Sequence, residues 1–198
     1  SVDEKKSLSA KVLKAIVDTE PDKIEVINDE IKDTLIQQTI ESAKDQQEGT
    51  LIEDEDLSDF VAEIIVNTDN KTAIQVIQEI NNAETDSNFS LDVISGVSKK
   101  DDTKLNDLSV DIKDEIEQLA ENAVKKAENT SEDSEKIADV VSVVNDELVN
   151  KLVEDVSETS VDEKKSLSAK VLKAIVDTEP DKIEVINDEI KDTLIQQT

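Results

Sequence analysis

Hydrophobic residues recur along this chain at the spacing of an amphipathic helix. The pattern Leu-Ser-x-x-(Val/Ile)-x-x-x-Ile begins at Leu8, Leu57, Leu108 and Leu167. Its apolar side chains follow at intervals of four residues, which places them on one stripe of an α-helix. A half-buried strand would need polar and apolar residues to alternate between these positions, and they do not alternate. The sequence therefore predicts helices throughout and an all-α fold.

Each of these helices is followed by signals for a second helix. Thr19 can cap a new helix, Pro21 suits its first turn, and apolar residues then recur at helical spacing from Ile24 to Ile40. The basic unit is therefore predicted to be a helical hairpin. In the third unit an insertion close to three helical turns predicts one long helix over 104–128, because such an insertion preserves the buried stripe.

The helix after this insertion is predicted to carry an apolar stripe from Ile137 to Leu152. Its segment Val-Asn-Asp-Glu-Leu at 144–148 echoes Ile-Asn-Asp-Glu-Ile at 27–31. Two connectors, 44–56 and 83–104, are predicted to be irregular. The second is expected to hold a short helix around Leu91–Val97 that ends near Gly96.

Residues 1–39 and 160–198 are identical in sequence. A helical fold tolerates wide surface variation, so this identity predicts one full period of a tandem array, 1–159, followed by the first hairpin of the next period. The Leu-Ser motif divides the period into three predicted hairpins, at about 1–49, 50–104 and 105–159. The two copies are expected to share one backbone conformation and to expose different faces.

A lone hairpin of this composition cannot bury its apolar stripe, so neighbouring units are expected to stack into an elongated solenoid-like or bundle-chain rod. The Leu-Ser stripe is interpreted as core. Phe60 and Phe89 are the only aromatic residues in the sequence. They are interpreted as filling a gap between helices, with a partner contact as the alternative.

The scarcity of Gly and Pro supports a helical fold, and the net charge restricts the kinds of molecule that the chain could bind. The chain contains two Gly and two Pro, and its net charge is −28, from 50 acidic residues and 22 lysines. A nucleic acid or an anionic membrane surface would repel this charge, and no apolar run is long enough to span a bilayer. The partners that the charge permits are neighbouring repeats of the same chain, basic proteins and divalent cations.

The sequence offers little chemistry. It contains no His, Cys, Tyr or Arg, and two glycines cannot build a phosphate-binding loop. We therefore predict no enzyme activity, no catalytic residues and no cofactor. The weak candidates for a metal site are Glu53, Asp54, Glu55 and Asp56, whose carboxylates could bind Ca²⁺. Their spacing does not fit an EF-hand loop, and we interpret them as a solvated acidic segment before a helix.

These observations favour a non-catalytic structural tandem repeat. We expect a stalk or spacer segment of a very large bacterial surface or secreted adhesin-like protein, and hence an extracellular or cell-surface location. Such a segment needs reach and solubility but no reactive side chains. The alternative is an acidic helical-repeat scaffold that binds basic protein partners in a groove.

Overall fold

The computed structural model describes residues 2–44, 57–83, 88–127, 130–158, 165–178 and 180–197. The described residues form twelve α-helices, a short 3-10 helix at Pro21–Ile24 and no strand, which confirms the predicted all-α class. The helices are α1 (Val2–Thr19), α2 (Asp29–Lys44), α3 (Leu57–Asn67), α4 (Asn70–Asn82), α5 (Phe89–Lys100), α6 (Lys104–Ser109), α7 (Lys113–Lys126), α8 (Ser131–Val143), α9 (Asp146–Glu158), α10 (Lys165–Thr178), α11 (Lys182–Val185) and α12 (Asp188–Gln197).

Contacts between the helices define two rows. Helices α1, α3, α5, α8 and α10 contact one another in that order and form the first row. Helices α2, α4, α7, α9 and α12 likewise contact one another in order and form the second row. Each first-row helix also contacts a second-row helix that follows it in the chain, so the described residues make five successive two-helix units.

One hydrophobic cluster runs through all five units. It consists of buried Val, Ile, Leu and Ala side chains, together with both phenylalanines, and extends from Leu13 in α1 to Leu194 in α12. Phe60 and Phe89 are buried in α3 and α5, in agreement with their interpretation as gap-filling residues. Because each helix presents an apolar stripe to the units on either side, every internal unit is stabilised by both neighbours.

The predicted long helix over 104–128 is wrong. Helix α6 ends at Ser109 and α7 begins at Lys113, with Ile112 between them at φ −136° and ψ 54°. The predicted stripe from Ile137 to Leu152 is likewise divided, because Val144 is extended and Asn145 accepts a hydrogen bond from the Leu148 N–H at 3.0 Å. An apolar stripe can continue across a turn when both helices bury it, so helical spacing alone did not reveal these breaks.

The start of the second helix in the first unit also differs from the prediction. The Thr19 hydroxyl donates backwards to the Ala15 carbonyl at 2.6 Å and does not cap a following helix. Helix α2 begins ten residues later, at Asp29, where the Asn28 side chain accepts from the Glu30 N–H at 3.0 Å. The connection between them contains the 3-10 helix and leaves the Val26 side chain exposed.

The division of the period into three hairpins does not describe the helices found. The interval 50–104 contains α3, α4 and α5, and the predicted short helix at Leu91–Val97 is a full first-row helix that passes through Gly96. Helices α1 to α9, apart from the short α6, therefore form four two-helix units. Leu108-Ser109 matches the motif by sequence but lies at the end of α6, outside the first row.

The feature shared by all first-row helices is a serine, followed by Val or Ile three and seven residues later. The serines are Ser9, Ser58, Ser90, Ser134 and Ser168. In α5 and α8 the residue before the serine is Phe89 or Asp133, which hides the match to Leu-Ser. The serines of α3, α5, α8 and α10 are buried, consistent with small side chains where neighbouring helices approach.

Gly96 lies at a close approach of α5 to α3. A Cβ atom at this position would stand 2.9 Å from the Ala62 Cβ, so an added methyl group requires the helices to move apart. Alanine favours helix over glycine by about 1 kcal/mol, whereas overpacking costs about 1–3 kcal/mol. We expect Gly96→Ala to lower the urea midpoint measured by far-UV circular dichroism.

The matched control exchanges the two small residues. Ala62→Gly combined with Gly96→Ala places the methyl group on the opposite helix and should recover stability relative to Gly96→Ala alone. A midpoint for Gly96→Ala above that of the unmodified chain would show that the helices do not require this close approach.

Candidate repeat interface

The second copy of the repeated sequence docks against α8 and α9. Leu167, Val171 and Ile175 of α10 are fully buried, and α10 contacts α8. Helices α11 and α12 contact α9, and Ile186 and Leu194 from this segment are also buried. The copy at 160–198 thus buries one continuous apolar face against the last two-helix unit of the preceding period.

Polar contacts fix the register of this interface. The Lys182 Nζ donates to the Val144 carbonyl oxygen at 2.8 Å, at the C-terminal end of α8. The Asn150 Nδ2 donates to the Val185 carbonyl oxygen at 3.2 Å, and its Oδ1 accepts from the Asn187 N–H at 2.8 Å. The amide side chain of Asn150 therefore satisfies one backbone carbonyl and one backbone N–H just before α12. We call this pair of hydrogen bonds the asparagine clamp.

The same contacts occur between earlier units. The Asn106 Nδ2 donates to the Val143 carbonyl oxygen at 2.7 Å, and its Oδ1 accepts from the Asn145 N–H at 2.8 Å. The Lys104 Nζ donates to the Thr68 carbonyl oxygen at 3.1 Å, just beyond the end of α3. Asparagine clamps and lysine contacts at helix ends are therefore recurrent features of the junctions between units.

The loops that receive these clamps share a sequence. Residues 143–147 read Val-Val-Asn-Asp-Glu and residues 185–189 read Val-Ile-Asn-Asp-Glu. Residues 26–30 of the first copy also read Val-Ile-Asn-Asp-Glu. The similarity between 27–31 and 144–148 is visible in the sequence, but the asparagines that bind the motif, 35 to 39 positions away, can be identified only from the contacts.

The two copies bury opposite faces of the same sequence. Leu8 is 62% exposed, whereas its equivalent Leu167 is fully buried. Conversely, Ile36 is 1% exposed, whereas its equivalent Ile195 is 59% exposed. The expectation that the copies expose different faces is confirmed. The cause is position, because the first copy has a described neighbour only after it, in α3 and α4, and the second only before it.

The helices of the two copies share two boundaries. Helices α1 and α10 both end at the Thr of Val-Asp-Thr, and α2 and α12 both begin at the Asp of Asn-Asp-Glu. The connection differs, since Pro21–Ile24 is a 3-10 helix whereas Lys182–Val185 is a short α-helix. Shared helices with a variable connection leave the side chains of both faces in comparable positions.

Lysines link neighbouring units of this acidic chain. The Lys71 Nζ lies 3.0 Å from Asp29 Oδ2, joining α4 to α2, and the hydrogen bond from Lys71 lowers the pKa of the Asp29 carboxyl. Lys100 and Lys136 form comparable bridges from α5 to α3 and from α8 to α5, with Nζ–O distances of 3.1 Å and 2.7 Å. These exposed or partly buried pairs individually contribute little stability, but they offset repulsion between acidic units.

Asp155 is a buried carboxylate of the second row with one unsatisfied oxygen. It is buried in α9, its Oδ1 accepts from the Lys151 Nζ at 2.8 Å, and its Oδ2 has no hydrogen-bond partner among the described residues. Burial raises the pKa of Asp155 above its ordinary value of 3.8 despite the nearby lysine. The ionised form is therefore disfavoured in the folded state.

We expect Asp155→Asn to stabilise the chain at neutral pH. Because the folded-state pKa is raised, the wild-type residue contributes most stability below pH 3.8 and loses that contribution as pH rises through its folded pKa. The difference in melting temperature between variant and wild type should therefore shrink as pH falls. Glu154→Gln removes the same charge from an exposed neighbour, and an equal gain in both variants would contradict this account.

The candidate metal ligands Glu53, Asp54, Glu55 and Asp56 lie outside the described residues. Within the described ranges, no group of three or more acidic side chains is arranged to hold a metal ion. Among the helices that the structure describes, none combines the length and apolar character needed to cross a membrane.

Comparison of the chain with protein-family models, curated proteins and solved structures finds no match.

Proposed function

We propose that this chain is a non-catalytic structural repeat that extends an array of identical units as an elongated solenoid-like rod. The observation that carries this proposal is the reciprocal burial of the two copies, seen at Leu8 and Leu167 and at Ile36 and Ile195. A hairpin whose two faces fit the two ends of its own period can occupy an internal position in an array of any length.

As the parent protein we propose a very large bacterial surface or secreted adhesin-like protein, in which the array acts as a stalk or spacer. A stalk requires reach and solubility. The net charge of −28 supports solubility, because like charge opposes association between neighbouring molecules. The lysine bridges between units support cohesion within one chain despite that charge.

The alternative, an acidic scaffold for basic proteins, receives less support from the surface. A groove of 510 Å³ lies between α5, α8 and α10. Its lining contains four lysines and four carboxylates, so their charges offset one another. Lys99, Lys136 and Lys173 each pair with an acidic side chain at 2.6–3.0 Å. A basic partner would find little net attraction in this groove.

The spacer proposal is tested by small-angle scattering on chains with one, two and three copies of residues 1–159 ahead of the closing 160–198. Four two-helix units at a helix spacing of about 10 Å should extend the particle by roughly 40 Å per copy. A constant increment of the longest dimension supports a rod. A radius of gyration that grows as it does for a compact globule would overturn the proposal.

A further inference from the structure

We propose that the exposed face of the first hairpin is a docking surface for helices α8 and α9 of a second copy of this chain. This face, the open face, comprises Leu8, Val12, Ile31, Lys23 and the loop 26–28. The inference rests on the proposed function and names the joint through which repeats associate. Its occupant is identified because the identical sequence at 160–198 already docks on α8 and α9 within the chain.

The apolar part of the open face matches the docked copy position by position. Leu8 and Val12 are exposed on α1, whereas Leu167 and Val171 at the equivalent positions of α10 are fully buried. Ile31 is 57% exposed, and its equivalent Ile190 packs against the hydrophobic core. Docking would therefore bury a set of side chains whose burial against α8 and α9 is already observed.

The polar groups of the open face also match those of the docked copy. Lys23 is equivalent to Lys182 and is exposed, with its Nζ 2.7 Å from the carboxylate of Glu20. In the docked arrangement it would donate to the Val144 carbonyl oxygen of the second copy, as Lys182 does. The Val26 carbonyl and the Asn28 N–H would be held by the second copy's Asn150, as Val185 and Asn187 are.

The asparagine clamp makes this surface selective. It requires a carbonyl and an N–H two residues apart, presented to one amide side chain while the apolar residues on both sides are in register. Two such clamps, at Asn106 and Asn150, are observed in the chain. An unrelated apolar helix could cover Leu8 and Val12 but would leave the backbone of this loop unpaired.

Within one chain the hairpin 160–198 already covers α8 and α9. Docking of a second molecule is therefore an exchange between two hairpins of identical sequence, and the unmodified chain should remain monomeric. When the closing hairpin is weakened, α8 and α9 become available to the open face of another molecule. The resulting contact joins the front of one molecule to the back of another, so it is heterologous and leads to open chains.

The test uses four full-length chains: wild type, Leu8→Asp, Leu167→Asp and the double variant. In raised salt, which screens the negative charge, sedimentation velocity should show a concentration-dependent increase in mass for Leu167→Asp alone. At a few hundred micromolar its average mass should be at least about twice that of the monomer. The double variant should remain monomeric, because Leu8→Asp places a charge on the open face.

Cross-linking separates specific docking from aggregation. The sequence contains no cysteine, so Val26→Cys and Asp146→Cys in the Leu167→Asp chain provide two defined thiols. Asp146 is exposed one helical turn before Asn150, so the asparagine clamp stays intact. A short bismaleimide should produce a ladder of linked chains. The control replaces Val26→Cys by Val110→Cys, at an exposed residue between α6 and α7. Docking predicts several-fold less linkage in this control.

The proposal is overturned if Leu167→Asp stays monomeric, if the double variant associates equally well, or if both cysteine pairs cross-link alike. These failures differ from failure of the spacer proposal. If the longest dimension grows linearly in the scattering series but Leu167→Asp does not associate, the spacer proposal is supported and the docking proposal is rejected. If Leu167→Asp associates specifically but the tandem chains are compact, the docking proposal is supported and the spacer proposal is rejected.

Discussion

Leu167→Asp should destabilise the closing hairpin by about 2–5 kcal/mol, the range found for loss of a fully buried leucine. The change is unfavourable for a second reason as well, because it places a charge in an apolar interface. Leu8→Asp alters the same residue of the same 39-residue sequence and should change stability by less than about 0.5 kcal/mol. The difference follows from burial alone, since Leu167 is covered by α8 and Leu8 is 62% exposed.

The comparison is best made by far-UV circular dichroism during urea unfolding, because the chain contains no Trp or Tyr for fluorescence. Dilute protein keeps both variants monomeric. Leu167→Asp should lose helical signal at low urea, where α10 to α12 undock before the rest of the chain, because among the described helices this unit packs against α8 and α9 only. Equal unfolding curves for the two variants would contradict the assigned difference in burial.

Ile36→Ala and Ile195→Ala should give the reverse order. Ile36 lies in α2, which contacts α4, and it is 1% exposed, so its truncation should cost about 2–5 kcal/mol. Ile195 is the equivalent residue of α12 and is 59% exposed, so its truncation should cost less than about 0.5 kcal/mol. Here the first copy is sensitive and the second is tolerant.

The two pairs control one another. If the second copy were simply folded more tightly, both of its substitutions would be the more damaging. If the first copy were folded more tightly, the opposite would hold. Only reciprocal burial gives sensitivity at Leu167 and Ile36 together with tolerance at Leu8 and Ile195. Urea midpoints that follow the copy and not the face would therefore contradict this account.

The sequence was sufficient to predict the all-α class, several of the helices and the relation between the copies. Apolar residues four apart predicted α1, α3 and α10. The stripe is buried in α3 and α10, but in α1 Leu8 and Val12 are exposed, so their interpretation as core is wrong for the first copy. The identity of 1–39 and 160–198 predicted that position in the array would decide exposure. That prediction required only that each hairpin have two apolar faces and that the two copies have their described neighbours on opposite sides.

The number of units could not be read from the same motif. Phe89-Ser90 and Asp133-Ser134 begin the Ser-centred pattern of α5 and α8 without leucine, whereas Leu108-Ser109 matches it in the wrong row. The serine is the constant feature because a small side chain is needed where first-row helices meet. A search for Ser with Val or Ile three and seven positions later would have found all five first-row helices.

The asparagine clamps between units could not be predicted from sequence patterns either. Asn106 and Asn150 look like ordinary solvent-facing helical residues, and their bonding partners lie 35 to 39 positions away. The backbone groups that they bind lie at the last residues of α8 and α11 and in the short connections that follow, and their accessibility depends on how two units meet. Only the receiving motif, Asn-Asp-Glu after two aliphatic residues, recurs visibly, and it does not reveal what binds it.

The most direct test of the central claim fuses one further copy of residues 1–159 ahead of Ser1. In that chain the hairpin that contains Leu8 has neighbours on both sides, and Leu8→Asp, harmless in the 198-residue chain, should become as destabilising as Leu167→Asp. The readout is the urea midpoint of the fused chain with and without the substitution. If Leu8→Asp remained harmless there, the exposed face would not be the joint between repeats.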